Sequence, residues 1–450
     1  MKKLLVILPV VILILFLSGC TSQPSDIQYE KTEGIDVEHR TENERIDIEE
    51  GLGNLCTSQE ECFIFCQGNR VQCEAYCSQN PENELCISMR SFFGGSEADF
   101  NQSSPSKAQF GVSGLPECAS QKLTVSPVEQ NKIYEIVPLG NLNPPDHTLP
   151  TEHMYFWLGE EPPVSSVDIK VPGDLYLIRI QSTSYLDKGR EDYGMTFAIC
   201  KDIYIYFLHI QELAPEFKAL ISDKDCRTSE THEGGSYRYC NTQLNRKVDV
   251  GTLLGKVGGS YTHSFDFGAY DYRIKHEFAN PERYTSKTPN VICPLDLYED
   301  ATKSKLFSEV KRTVEPKCGT NVQDVKGTLQ GNWFYGDATA ESPEDWYKHL
   351  AFVQYNFDPK QSAISVGGVF MESGYWTFTP QHSGNINRAF SEVTSGSIYC
   401  YSGGSEDGRG GPIPGKIIVQ LTSEKELKIE QQGGSCSGAY TFKSPTIYKR

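Results

Sequence analysis

The chain has 450 residues, enough to bury two or three cores rather than one. Its 59 acidic against 42 basic residues leave a net charge of −17, which repels phosphate backbones and anionic lipid heads and so argues against nucleic-acid binding and electrostatic adhesion to a membrane. Frequent Gly and Pro, with Tyr the commonest aromatic, suit turn-rich β-domains.

The first element is a targeting segment at 1–19. Met1-Lys2-Lys3 is a basic start, and Leu4 to Leu17 is an apolar run too short for a comfortable membrane span of about 20 residues. Leu17-Ser18-Gly19-Cys20 resembles a prokaryotic lipobox. The motif implies cleavage before Cys20 and lipidation of that residue, and hence a lipid-anchored protein outside the cytoplasm. An uncleaved N-terminal anchor is the rival reading. Removing Cys20 from 15 cysteines leaves an even 14, as a disulfide-bonded exported chain requires.

Residues 20–54 read as an acidic, disordered tether, rich in Asp and Glu and poor in aromatics, reaching about 30 Å as a flexible coil. Residues 55–87 hold six cysteines. Cys62-x3-Cys66 and Cys73-x3-Cys77 each place two thiols on one helix face, with a turn at Gly68-Asn69 between them. A two-helix hairpin with bridges Cys62–Cys77 and Cys66–Cys73, closed outside by Cys56–Cys86, satisfies that spacing. A segment this small needs such staples. A zinc cluster is the alternative, although zinc ribbons use closer C-x2-C pairs and often His. A redox factor would need C-x-x-C, which these pairs are not. Residues 88–114 are a Gly, Ser, Asn and Gln-rich linker.

Residues 115–300 form the next domain. Strands are expected at Asp174–Ile180 and Asp202–His209 from their alternation. Gly251 and Gly255 punctuate a hairpin-like passage, and a bridge Cys226–Cys240 spans a polar loop. Residues 320–450 read as an all-β domain, barrel or sandwich. Strands are expected at Ala351–Phe357, Ser362–Phe370, Tyr375–Thr379, Ser397–Tyr401, Gly415–Leu421 and Glu426–Glu430. The glycine-rich stretch before Lys416 lacks a following Ser or Thr and precedes a strand, so it is a loop and not a phosphate cradle. Trp333, Trp346, Tyr347, Tyr355, Tyr375 and Trp376 suit a hydrophobic core better than a sugar platform.

Three pieces of the middle domain resemble the lysostaphin/LytM-type zinc endopeptidases. Phe207-Leu208-His209-Ile210 is similar to that family's Y-x-H-L segment. Val248-x2-Gly251-x2-Leu254-Gly255-x-Val257-Gly258 is similar to its glycine passage. His263-Ser264-Phe265-Asp266 falls where its H-x-H stands. Upstream, His147 and His153 lie in the region of its H-x3-D motif. The resemblance covers about residues 135–275, and it implies an antiparallel β-domain with zinc held by His, Asp and His while two further histidines assist the reaction.

The departures are specific. Four residues after His147 stands Thr151 and after His153 Trp157, not Asp; two residues after His263 stands Phe265, not His. The resemblance therefore implies a degenerate site, with His209 and His263 the candidate catalytic residues and His147, His153, His209 and His263 the candidate metal ligands. Asp146, Glu152 and Asp266 sit beside them in sequence. The expected fold is mainly β: a lysostaphin-like antiparallel β-domain, a C-terminal β-barrel or sandwich, and a small disulfide-stapled helical hairpin near the N-terminus. The expected function is binding or scaffolding of cell-wall or surface-layer material, or of a partner protein, by an inactive peptidase-like domain. The alternative is a divergent zinc metallo-endopeptidase acting on wall peptides or proteins.

Overall fold

A computed structural model describes residues 112–119, 122–230, 236–284, 287–406 and 411–450. The targeting segment, Cys20, the tether 20–54, the hairpin 55–87 with its pairs Cys62–Cys77, Cys66–Cys73 and Cys56–Cys86, and most of the linker 88–114 lie outside the described residues. The described chain is mainly β, in two antiparallel sheets.

The first sheet is built from β1 (Glu135–Val137), β2 (His153–Trp157), β3 (Val167–Lys170), β4 (Leu175–Tyr185), β5 (Arg190–Ala198), β6 (Ile203–Leu213), β7 (Cys226–Glu230), β8 (Ser236–Val248), β9 (Leu253–Val257), β10 (Ser264–Asp271) and β11 (Val291–Ile292). Its main path runs β1-β2-β10-β6-β5-β4-β8-β7; β9 joins β3 to β6, and β11 joins β10. Alternation decides the faces. Met154 and Phe156 of β2, Phe265 and Phe267 of β10, and Ile205 and Phe207 of β6 are fully buried in one aromatic core. His153, Tyr155 and Trp157 of β2 therefore share the opposite face with Ser264, Asp266 and Gly268 of β10. Gly255 is required where β9 meets β6, because a Cβ there would overlap the Glu212 carbonyl oxygen.

The second sheet comprises β12 (Gly331–Phe334), β13 (His349–Gln354), β14 (Ser362–Val366), β15 (Gly374–Phe378), β16 (Ile398–Gly403), β17 (Ser405–Glu406), β18 (Ile413–Ser423), β19 (Glu426–Gln432) and β20 (Thr446–Lys449). Its order, β16-β18-β19-β20-β12-β13-β14-β15-β17, brings the two end strands together through Gly404, so it is a nearly closed barrel. Trp333, Phe352, Trp376, Phe390, Tyr401 and Tyr448 help to fill the interior. Among the described residues two short α-helices, α1 (Pro215–Lys218) and α2 (Asp300–Ser308), and several 3-10 turns join the strands. Among the described residues no helix is long and apolar enough to cross a membrane.

Four disulfides are described: Cys118–Cys200, Cys226–Cys240, Cys293–Cys318 and Cys400–Cys436. Cys226 and Cys240 are direct partners across β7 and β8. Four bridges mark an oxidising, extracytoplasmic environment. Both sheets belong to one compact unit, Ser103–Arg450.

Candidate functional site

The polar face of β2, β10 and β6 carries a histidine–aspartate cluster. Asp266 on β10 stands opposite Tyr155 on one side and Leu208 on the other, and its side chain is 2% exposed. Its Oδ2 lies 3.4 Å from His153 Nε2 and 3.3 Å from His209 Nε2. His209 Nδ1 is hydrogen-bonded to Asp192 Oδ2 of β5 at 2.8 Å. His147, in the loop before β2, places its ring 5.4 Å from that of His153.

His209 reaches this face through a local departure from strand geometry. Simple alternation would put it on the core side with Phe207. Instead Tyr193 pairs with Ile210 and Met195 with Phe207, so β6 carries one more residue than β5 over this stretch. Such a bulge re-aims a side chain, and bulges gather beside active sites. His209 also has φ of 63°, in the left-handed region that costs a non-glycine residue energy and recurs at functional sites.

Second contacts orient His153. Its Nδ1 lies 3.5 Å from the Tyr206 hydroxyl, and Tyr206 stacks on Tyr270 at 5.3 Å. Tyr270 donates to Glu152 Oε1 at 2.9 Å. Two buried atoms of the cluster, His153 Nε2 and Asp266 Oδ1, have no hydrogen-bond partner among the described residues.

The charges follow from these neighbours. Burial works against the Asp266 carboxylate, but His153 and His209 beside it outweigh burial and hold its pKa at about 2. His209 is raised well above 6.5, first by Asp266 and then, against burial, by its bond to Asp192. Burial, with His153 adding to it, lowers His147 to about 4, so at neutral pH His147 is an uncharged imidazole.

Of the four sequence candidates, His153 and His209 meet through Asp266 and His147 adjoins them. His263 sits just before β10 with its ring 5.1 Å from that of Trp157. Asp266, noted in the sequence only as a neighbour, is the hub. Asp192 carried no signal, being one of several charged residues at the start of a strand.

No protein-family model matches the chain, and no curated protein matches it. Solved structures do. A zinc-containing peptidase from Vibrio cholerae is similar at 13% identity over 33% of this chain and 36% of that one, with a TM-score of 0.21. The chain thus spans about a third of that peptidase's length. The solution structure of lysostaphin is similar at 12% identity over 74% of this chain and 92% of that one, with a TM-score of 0.20. Likenesses this distant carry no argument, and the site stands on its own geometry.

Donor type, distances and unsatisfied atoms bear on whether these residues suit a metal ion. Two imidazoles and a carboxylate are a zinc donor set. Two donors each about 2.0–2.1 Å from a tetrahedral zinc lie about 3.3 Å apart, which is the spacing of Asp266 Oδ2 from both Nε2 atoms. A carboxylate on the remote nitrogen of a ligand histidine, as Asp192 is on His209, is the usual outer support. Among the described residues no group of three or more His, Cys, Asp or Glu side chains is placed so that it could hold a metal ion. The cluster thus has the donor types and two edges of a zinc site, around Asp266 Oδ2, without three donors arranged about one point.

Proposed function

We propose that the chain is an extracytoplasmic, lipid-anchored metallo-peptidase in which His153, His209 and Asp266 hold one zinc-type cation. The observation that supports this is the pair of 3.3–3.4 Å spacings around Asp266 Oδ2, longer than the 2.8 Å hydrogen bond at His209 Nδ1 and equal to a tetrahedral edge. A bound zinc supplies an acidified water and a Lewis acid for a peptide carbonyl. Asp192 accepts the Nδ1 proton of His209 and so fixes the ring with Nε2 turned to Asp266. Tyr206 does the corresponding work at His153 Nδ1. His147, uncharged at neutral pH and facing the adjoining cleft, is the imidazole that can accept a proton from water there.

A second reading has one specific observation in its favour. Both ring nitrogens of His209 face carboxylates, so the cluster can close on itself as an ion network. That would leave a peptidase-like domain that binds or scaffolds cell-wall or surface-layer material, or a partner protein.

Metal analysis of the purified full chain separates the two. The first reading expects close to one zinc per chain, loss of that zinc in Asp266→Asn and His153→Ala, and peptide hydrolysis that disappears with the metal. A chain that binds no zinc after incubation with it, and hydrolyses no peptide, ends the first reading. Retention by isolated envelopes after detergent release of the anchor then tests the second.

A further inference from the structure

Of the three residues at the candidate cation site, His209 is the open one: its side chain is 44% exposed, while those of His153 and Asp266 are buried. The cluster is therefore open to solvent on the His209 side. Arg190 stands at that opening. It begins β5, two residues before Asp192 and so on the same face of the sheet. Its Nη2 and His209 Nδ1 face one oxygen, Asp192 Oδ2.

The Arg190 side chain is held in place but its donors are not satisfied. Its guanidinium carbon lies 4.7 Å from the centre of the ring of Tyr185, its cross-strand partner at the end of β4. It lies 5.8 Å from the centre of the Tyr261 ring, in the connection between β9 and β10. Both distances are within cation–π range. Ring faces steady a guanidinium without offering oxygen acceptors to its five N–H donors. Nε is buried and has no hydrogen-bond partner among the described residues. Nη2 is 3.9 Å from Asp192 Oδ2, beyond hydrogen-bond length, and that oxygen already meets His209 Nδ1 at 2.8 Å. The Arg190 side chain is 31% exposed, so a ligand can reach it.

A carboxylate suits this arrangement. It is planar, carries a negative charge and presents two acceptor oxygens to a guanidinium fork. An amine or an amide N–H would bring donors to a place already rich in them. We propose that Arg190, steadied by Tyr185 and Tyr261, is the subsite for a carboxylate of a peptide ligand, either its C-terminus or an acidic side chain. The inference rests on the peptidase reading for the ligand being a peptide, and it deepens that reading by naming the substrate class: peptides with a carboxylate close to the residue that lies at His209.

Calorimetric titration of the full chain in detergent tests it. Metal is first removed with a chelator, so that a peptide carboxylate cannot bind zinc instead. The probes are N-acetylated pentaalanine with a free carboxylate, its C-terminal amide, and the same amide with a central Glu or Gln. A carboxylate peptide should bind at least about tenfold more tightly than its uncharged counterpart, and Arg190→Gln should bring the two within about twofold. Preference for the free terminus assigns the C-terminus; preference for Glu assigns the acidic side chain. Tyr261→Leu, a change at an exposed position, should fold as the parent does and lose part of the preference. Equal binding of charged and uncharged peptides, no binding of any, or a preference unchanged in a folded Arg190→Gln overturns the proposal. If Arg190→Gln does not fold, a preference unchanged in Tyr261→Leu overturns it. A protein that takes up no zinc and cleaves no peptide but keeps the carboxylate preference ends the hydrolase reading and leaves this one standing; an active peptidase indifferent to carboxylates does the reverse.

Discussion

The ring of Tyr206 lies over the α-carbon of Gly268: the two are cross-strand partners on β6 and β10, and a Cβ at position 268 would fall inside the ring. Gly268 is also the partner of His153 on β2. The missing side chain is what lets Tyr206 lean across β10 and bring its hydroxyl to His153 Nδ1.

Gly268→Ala should therefore destabilise the fold by about 1–3 kcal/mol, the usual effect of overpacking a filled site. It should also weaken zinc binding by displacing the support of His153. Tyr206→Phe removes the hydroxyl alone and should lower zinc affinity with little loss of stability. Denaturant unfolding and competitive zinc titration on both variants check this pattern.

Asp192 Oδ2 holds the remote nitrogen of His209 at 2.8 Å, and Arg190 approaches the same oxygen at 3.9 Å. Asp192→Asn should lower zinc affinity roughly 10–100-fold, as loss of an outer carboxylate does. The unfolding transition should stay cooperative. Unchanged zinc affinity would remove Asp192 from the site.

His349 is 1% exposed, with Nε2 at 2.8 Å from the Thr339 carbonyl. Burial lowers its pKa to about 4, against smaller opposing effects of Thr339 and Asp345. A histidine depressed on folding binds its proton more readily when unfolded, so its contribution is intact above about pH 6.5 and is lost as pH falls toward 4. The loss should approach about 3 kcal/mol for this residue. In His349→Gln, which keeps a donor but cannot titrate, melting temperature should fall less steeply between pH 6.5 and 4 than in the parent chain.

The Cys118–Cys200 bridge spans 82 residues and pins the segment before the first sheet to the turn after β5. Replacing both cysteines by Ser should cost about 4.5 kcal/mol by loop entropy, against about 3 kcal/mol for the 14-residue separation of Cys226–Cys240. Unfolding of the two double variants under non-reducing conditions gives the comparison.

Much of the fold was legible in period-2 alternation. Asp174–Ile180 and Asp202–His209 lie within or beside β4 and β6, and six runs after residue 350 fall on β13, β14, β15, β16, β18 and β19. Short strands such as β12 and β20, four residues each, offer too few alternations to see. The site was read less well, for reasons of register. Counting H-x-H from His263 lands on Phe265, which faces the core; β10 begins at Ser264, so the inward polar position is Asp266. The direction of His209 could not be read at all, because a bulge and not alternation sets it.

That bulge has a consequence for descent. Two residues, Leu208 and His209, stand between the core positions Phe207 and Ile210, where strict alternation has room for one. Loss of the codon for Leu208 would set the imidazole directly after Phe207, at the position that pairs with Asp266, and so still on the polar face. The side on which this histidine stands would therefore survive a one-codon deletion there; the left-handed backbone that the extra residue brings would not have to.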